Sequence, residues 1–206
     1  MEPAKEGSVM PKQARALRTY DRVLDAAAYE FARYGYTNAN LQNIADRIRL
    51  TKGALYGHFA NKEELAAALD HHLSATLGVL LTEARTSPHP ALGRLQSLVL
   101  GLGRLFRTDL RALAALRLAA ETARSTAKPI PLLTETHDLV LQLVRETQQE
   151  GHWDASISTR PLADLIVAAL FGTFWTETDT GHPGSDGTVD TMWEALAQAL
   201  GGAPAR

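Results

Sequence analysis

An all-α fold follows from three features of this 206-residue sequence. Apolar residues recur at three- and four-residue steps in the long segments, the spacing of one helix face. No segment sustains the period-two alternation of a half-buried strand, and Pro and Gly clusters punctuate the periodic stretches. A hydrophobic content of 45% supports a well-filled core, and with no cysteine the chain must fold without disulfides.

Residues 1–11 carry Pro3, Gly7 and Pro11 and read as a loose arm whose Lys5, with Lys12 just beyond it, lies within reach of phosphates. From Lys12 to Tyr34 the positions Leu17, Val23, Leu24, Ala27, Ala28, Phe31 and Tyr34 define one amphipathic helix, stopped by Gly35. A short helix starts near Asn40, with Thr37, Asn38 or Asn40 as N-cap, and buries Leu41, Ile44, Ala45 and Ile48. After a turn at Arg49-Leu50, a second short helix over Thr51–Gly57 has Thr51 as its cap. Its Ala54 and Leu55 face inward; Thr51, Lys52, Gly53, Tyr56 and His58 face outward.

A fourth helix begins after Asn61, with Glu63 and Glu64 favourably placed at the positive end of its dipole, and runs to about Arg85. Beyond Pro88 and Pro90, helices are expected at about 91–107, 109–124, 131–150, 160–178 and 187–200. The breaks between them fall at Pro129 and Pro131, Gly151, Pro161 and the stretch 180–187. The domain division is then a flexible arm at 1–11, a helix-turn-helix unit at 12–62 that continues into the helix at 62–85, and a helical body at 63–206.

The net charge of −2 conceals an asymmetry: residues 1–62 hold 10 Lys/Arg against 6 Asp/Glu, a net of +4, and the remainder holds 11 against 17, a net of −6. An electropositive end beside an acidic body is what a nucleic-acid reader requires, although an ordinary solvated distribution has the same totals. The N-terminus lacks the apolar core of a signal peptide, and no apolar run approaches the roughly 18 residues of a membrane span. A cytoplasmic protein is the expectation.

Two short helices joined by a tight turn over Asn40 to Phe59 outline a helix-turn-helix, a pattern that other helix pairs in a bundle imitate. Ala45 is small enough for close approach of the two helices. Gly53 costs a helix about 1 kcal/mol and removes a side chain where a duplex would come near. Lys52 suits a phosphate or a guanine edge, Thr51 and Tyr56 suit phosphates or thymine methyls, and His58 and Lys62 lie along the backbone path. Gln42 and Asn43 on the first short helix are further candidates for phosphate contact. For Tyr56 the alternative is half-burial, and for Lys62 a surface role in the capping turn.

The stretches Arg18-Thr-Tyr-Asp-Arg-Val-Leu-Asp-Ala-Ala-Ala28, Phe31-Ala-Arg-Tyr-Gly-Tyr-Thr37, Leu41-Gln-Asn-Ile-Ala45 and Thr51-Lys-Gly-Ala-Leu-Tyr-Gly-His-Phe-Ala-Asn-Lys-Glu-Glu-Leu65 resemble the N-terminal domain of TetR-type transcriptional repressors. Thr51 to Phe59, with Lys62-Glu-Glu-Leu65, is similar to the γ-butyrolactone receptors of actinobacteria. Leu110-Arg-Ala-Leu-Ala-Ala-Leu-Arg-Leu-Ala119, Pro129-Ile-Pro131 and Met192-Trp193 resemble the same subgroup more weakly. The resemblance implies a homodimer that binds a palindromic double-stranded operator and is released by a small-molecule inducer. No cofactor, metal or membrane partner is expected.

In the body, Leu162, Leu165, Ile166, Ala169, Leu170, Thr173 and Phe174 form one stripe, and Val189, Met192, Trp193, Leu196 and Leu200 another. Both suit a symmetric dimer interface or the protomer's own core, and the resemblance favours the interface. For the inducer pocket the bulky residues Leu102, Phe106, Leu113, Leu116, Leu139, Leu143, Phe171 and Trp175 are candidates, with His137 as a polar anchor and core packing as the alternative. Members of the subgroup commonly carry a tryptophan early in the helix after the Pro-rich link, where this chain has Thr134-Glu-Thr-His137. The expected inducer is therefore either a γ-butyrolactone-like signal or an antibiotic-type ligand.

No catalytic constellation emerges. His71-His72 lack metal-ligand spacing, and Gly101-Leu-Gly103 follows no strand. The pairs Asp21/Asp25 and Glu63/Glu64 fall on exposed helix faces. A helical enzyme and a protein-binding adaptor are the competing classes; turnover would mark the first, and absence of salt-dependent DNA affinity the second.

Overall fold

The computed structural model describes the backbone of residues 12–180 and 188–200, and side chains at 13–172 and 189–200. Among these residues the chain forms α1 (Lys12–Asn38), α2 (Leu41–Arg47), α3 (Lys52–Tyr56), α4 (Lys62–Thr86), α5 (Ala91–Thr108), α6 (Leu110–Thr126), α7 (Pro131–Gln149), α8 (Thr159–Thr180) and α9 (Thr188–Leu200), with no strand. The expected helices are present, with ends shifted by only a residue or two except at α1. There Gly35 does break the helix (φ 71°, ψ −178°), but one further turn continues to Asn38. The expected break at 180–187 lies largely outside the described residues.

Helix ends are secured by side chains that the sequence marks. Asn40 accepts from Gln42 N–H, Thr51 from Ala54 N–H and Asn61 from Glu64 N–H, so the caps start α2, α3 and α4. Asp109 accepts from both Arg111 N–H and Ala112 N–H and starts α6. Pro131 occupies the first turn of α7, where its missing N–H costs nothing, and Gly151 (φ 78°) follows its end.

In α4, Leu65, Leu69, Leu73, Leu77, Leu81 and Ala84 recur in a buried stripe. One correction concerns this helix: over an 18-residue window its mean hydropathy reaches 1.2, so in length and composition it matches a membrane span. Averaging over alanines and leucines produces that value, whereas the leucines lie on one face packed against α5 and α6.

The head, α1–α3, is joined to the body along α1, which packs against α6 and against α4. In the body, α7 lies against α5 and α8, and α9 closes over α5 and α8. The apolar core is continuous from Val23 and Phe31 in the head to Trp153 and Trp193 in the body. Three buried polar side chains there are satisfied locally: Thr136 and Thr147 donate to the carbonyls of Leu132 and Leu143, and Gln148 ties down Asp154, Ile157 and Thr159.

Candidate nucleic-acid interface and ligand-binding body

The helix pair α2–α3 is seated on α1 by Ile44, Ala45, Leu55 and Phe59, all at most 3% exposed. Tyr20 stacks on Phe59 with ring centres 4.7 Å apart. The turn between the helices runs through Arg49 in the left-handed region (φ 56°), and Leu50 N–H donates to Ala45 O at 2.9 Å. Arg22 completes the turn: its guanidinium donates to Ile48 O at 2.7 Å, satisfying a carbonyl at the end of α2.

With the turn held in this way, α3 presents Thr51, Lys52, Gly53 and Tyr56 to solvent. The Thr51 hydroxyl accepts from Ala54 N–H, which leaves its own proton available for donation. Lys52 Nζ lies 5.9 Å from the Tyr56 ring centre, and that ring is 43% exposed. A Cβ on Gly53 would meet nothing within 4 Å, so no neighbour inside the protein demands glycine there. Ala54, expected to pack inward, is exposed as well, because five residues of α3 bury only Leu55.

Other expected contacts are engaged within the head. Asn43 donates through Nδ2 to Glu30 Oε1 (2.9 Å), and Asn40 N–H donates to the same oxygen (3.1 Å). Glu30 is 2% exposed, so Asn43 serves a buried carboxylate rather than standing free for a phosphate. Gln42 donates to Asp46 Oδ1 at 2.7 Å. Lys62 reaches Thr37 O at 3.3 Å and lies 4.8 Å over the Tyr36 ring, which draws it toward the α1 terminus. His58 is half-buried directly after α3.

Two guanidiniums of the head meet at Tyr29. The Arg47 guanidinium sits 3.5 Å over the Tyr29 ring, and Arg33 donates to the Tyr29 hydroxyl at 3.0 Å. The hydrogen bond from Arg33, followed by Arg47, lowers the phenol pKa, and the same contact raises that of Arg33. The Tyr36 phenol is raised, first by burial and then by its hydrogen bond to Glu63, and that bond lowers the Glu63 carboxyl.

Three side chains of α6 clamp the head to the body. Arg111 binds Asp25 (2.6 Å), Asp21 (3.3 Å) and the Asp21 carbonyl (3.0 Å). Arg117 donates to Ala32 O at 2.6 Å, and Glu121 accepts from Tyr36 N–H at 2.8 Å beside the Gly35 kink. No local sequence pattern marks these contacts, because the partners lie 85 to 90 residues apart. At the N-terminus of α6, beside Arg111, burial tends to raise the Asp109 pKa. His72, at 2.6 Å, and the capping N–H groups outweigh it and hold the carboxyl below the usual range.

The expected pocket residues Leu102, Phe106, Leu116, Leu139 and Leu143 are core, each at most 4% exposed. Leu113 and Phe171 are half-buried, with Phe171 6.0 Å from the Phe106 ring centre, and His137 is tied to Asp164 at 2.7 Å. None of these residues lines the 590 Å³ cavity, which lies between α4, α6 and the link at 128–131. Among the expected interface residues, Leu162, Ile166, Leu170, Val189 and Trp193 are buried inside the protomer, because α8 and α9 pack on α5 and α7. Ala169, Met192 and Leu196 are half-buried, and Leu165 is 54% exposed. The side chains of Thr173, Phe174 and Trp175 lie outside the described residues.

Residues 23–69 match the profile described as "Bacterial regulatory proteins, tetR family". Over 196 residues the chain is 35% identical to the A-factor receptor protein of Streptomyces griseus, covering 93% of this chain and 67% of that relative. The chain belongs to the TetR family. Its fold agrees with solved TetR-family structures. A γ-butyrolactone receptor (ArpA-like protein) superposes with a TM-score of 0.74 at 28% identity, covering 90% of this chain and 89% of that one. CprB from Streptomyces coelicolor, in complex with its biological operator sequence, gives 0.72 at 27% identity, covering 92% and 91%. Within the TetR family, these similarities place the chain in the γ-butyrolactone receptor-like subgroup.

Among the described residues of this TetR-family chain, no group of three or more His, Cys, Asp or Glu side chains is arranged to hold a metal ion. The acidic pairs noted in the sequence have partners. Asp21 and Asp25 hold Arg111, Glu63 holds Tyr36, and Glu64 accepts from Ala60 N–H.

Proposed function

We propose that this chain is a dimeric repressor that reads a palindromic operator with α3 and is released from it by a small molecule bound to the helical body. The exposed face of Thr51, Lys52, Gly53 and Tyr56, on a helix anchored by the buried Leu55, carries this reading. Hydroxyls, one ammonium and one phenol supply phosphate and base-edge contacts, and the bare Gly53 lets the backbone approach the groove. A chain acting in this way works by binding alone, and in a cytoplasmic setting.

The side chains that reach the duplex are then Thr51, Lys52 and Tyr56, with His58 at the margin. Gln42, Asn43 and Lys62 stabilise the head. For the dimer, the exposed Leu165 and half-buried Ala169 of α8, with Met192 and Leu196 of α9, form a face suited to pairing about a two-fold axis. Release requires only that the inducer prefer a conformer whose two heads are wrongly spaced for the half-sites.

Selection of bound sequences from random duplex DNA, followed by footprinting, tests the reading. A dyad-symmetric protected site is expected. Lys52→Ala should weaken its binding, lower the slope of log affinity against log salt by about 1, and leave the dimer intact. Recovery of no palindrome at moderate salt overturns the proposal.

A further inference from the structure

Both ends of α2 are held by side chains of α1. At its C-terminus, Ile48 O accepts from the Arg22 guanidinium at 2.7 Å. At its N-terminus, Asn40 N–H and Asn43 Nδ2 both donate to Glu30 Oε1, at 3.1 and 2.9 Å. Arg22 and Glu30 are as far apart in the chain as Asn40 and Ile48, so each pair spans about 12 Å of helix. The arrangement is antiparallel. It sets an anion at the positive end of the α2 dipole and a cation at the negative end. With only seven residues, α2 has little helical stability of its own, and its orientation depends on such contacts.

The start of α4 shows what α2 lacks. There the N-cap is Asn61, and the third residue of the helix, Glu64, turns back to accept from Ala60 N–H at 2.7 Å. A glutamate at that position satisfies an N–H ahead of the helix that no carbonyl within the helix reaches. The third residue of α2 is Asn43, one methylene shorter, and its amide donates where a glutamate would accept. The N–H of the N-cap Asn40 goes instead to a carboxylate from α1. Glu30 is 2% exposed, so this carboxylate carries a desolvation cost that its two donors and the helix dipole offset.

We propose that Glu30 is a positioning residue for operator recognition. It completes from α1 the capping box that α2 cannot close by itself, and with Arg22 it fixes the angle at which α2 delivers α3 to the groove. This role rests on the reading of the operator by α3 proposed above, whereas the cap itself belongs to the free protein.

Glu30→Leu, Asn43→Glu, the double variant of the two and Glu30→Gln are compared with the wild type in the full-length chain. Glu30→Leu leaves Asn40 N–H without its acceptor, and Asn43→Glu sets a second carboxylate against Glu30. In the double variant the carboxylate at position 43 can close the box as Glu64 does, and the net charge equals that of the wild type. The readout is the ratio of affinities for the selected palindrome and for an unrelated duplex at one salt concentration, which offsets changes in overall charge. Each of Glu30→Leu and Asn43→Glu should lower the ratio about tenfold, and the double variant should return to within about twofold of the wild type. Glu30→Gln, which keeps an acceptor oxygen, should hold the wild-type ratio. Amide exchange at Asn40 in the DNA-free protein should quicken in Glu30→Leu and Asn43→Glu and slow again in the double variant. Asn43 is exposed, so Asn43→Glu keeps the test independent of how Glu30→Leu folds. An unchanged ratio in Glu30→Leu, or losses that multiply in the double variant, overturns the role. A wild type that binds no palindrome overturns the reading by α3 instead, and amide exchange then decides whether Glu30 caps α2.

Discussion

Replacement of Gly35 by alanine tests the joint between head and body. At φ 71° and ψ −178° the backbone occupies a region essentially restricted to glycine, and holding alanine there costs about 1–3 kcal/mol. The new methyl also falls on the Glu121 carboxylate, which accepts from Tyr36 N–H at 2.8 Å. If the carboxylate moves away, a part-buried N–H loses its acceptor, for a further cost of about 1–3 kcal/mol. The sum is a loss of about 2–6 kcal/mol, readable as a lowered midpoint in urea unfolding. Glu121→Ala alone should cost about 1–3 kcal/mol, since it removes the same acceptor. Once Glu121 has gone, Gly35→Ala meets only the backbone strain, so the double variant should be more stable than the summed losses imply by about 1–3 kcal/mol. A Gly35→Ala loss below about 1 kcal/mol, or single costs that simply add, would refute this account of the kink.

Three further outcomes are expected. Asn43→Ala should destabilise the protein by about 1 kcal/mol, because Glu30 loses a donor, and leave the salt slope of operator binding unchanged; a smaller slope would return Asn43 to the phosphate contacts. The pKa of Asp109 is lower in the folded chain than in the unfolded one, so its contribution is present above the unfolded value of about 3.9 and is lost as pH falls through the folded value. Asp109→Ala should therefore cost about 1–2 kcal/mol at neutral pH and flatten the acid limb of a stability–pH curve measured by denaturant unfolding. Leu165→Glu should convert dimer to monomer in sedimentation velocity with little change in protomer unfolding, since Leu165 is 54% exposed in the protomer; a persistent dimer would place the interface elsewhere.

Local signals read correctly wherever the physics is local. The caps Thr51 and Asn61 depend on a side chain reaching an N–H three residues on, so their positions are legible without a partner; for α2 the same signal narrows the cap to Thr37, Asn38 or Asn40, of which the folded chain uses Asn40. The same holds for the break at Gly35 and for Leu55 as the anchor of α3. Burial of a stripe is legible too, but its partner is not. The periodicity of α8 and α9 is equally compatible with a second protomer and with α5 and α7, and most of it is spent inside the protomer. Likewise, large apolar residues in the body mark a core rather than a cavity; the space lies where alanines line α4 and α6, and small residues send no comparable signal.

The helix-turn-helix, its polar outward face and the division of charge between head and body are therefore properties of the sequence, because capping, periodicity and composition act over a few residues or over sums. Which polar side chains remain available for DNA was decided by the tertiary structure. Glu30 claims Asn43, and Thr37 O and the Tyr36 ring claim Lys62, each because a buried or terminal group needed a partner. The clamp of Arg111, Arg117 and Glu121 on α1 also exists only in the folded chain. Its strength comes from bringing together charges and backbone groups that lie some 85 to 90 residues apart.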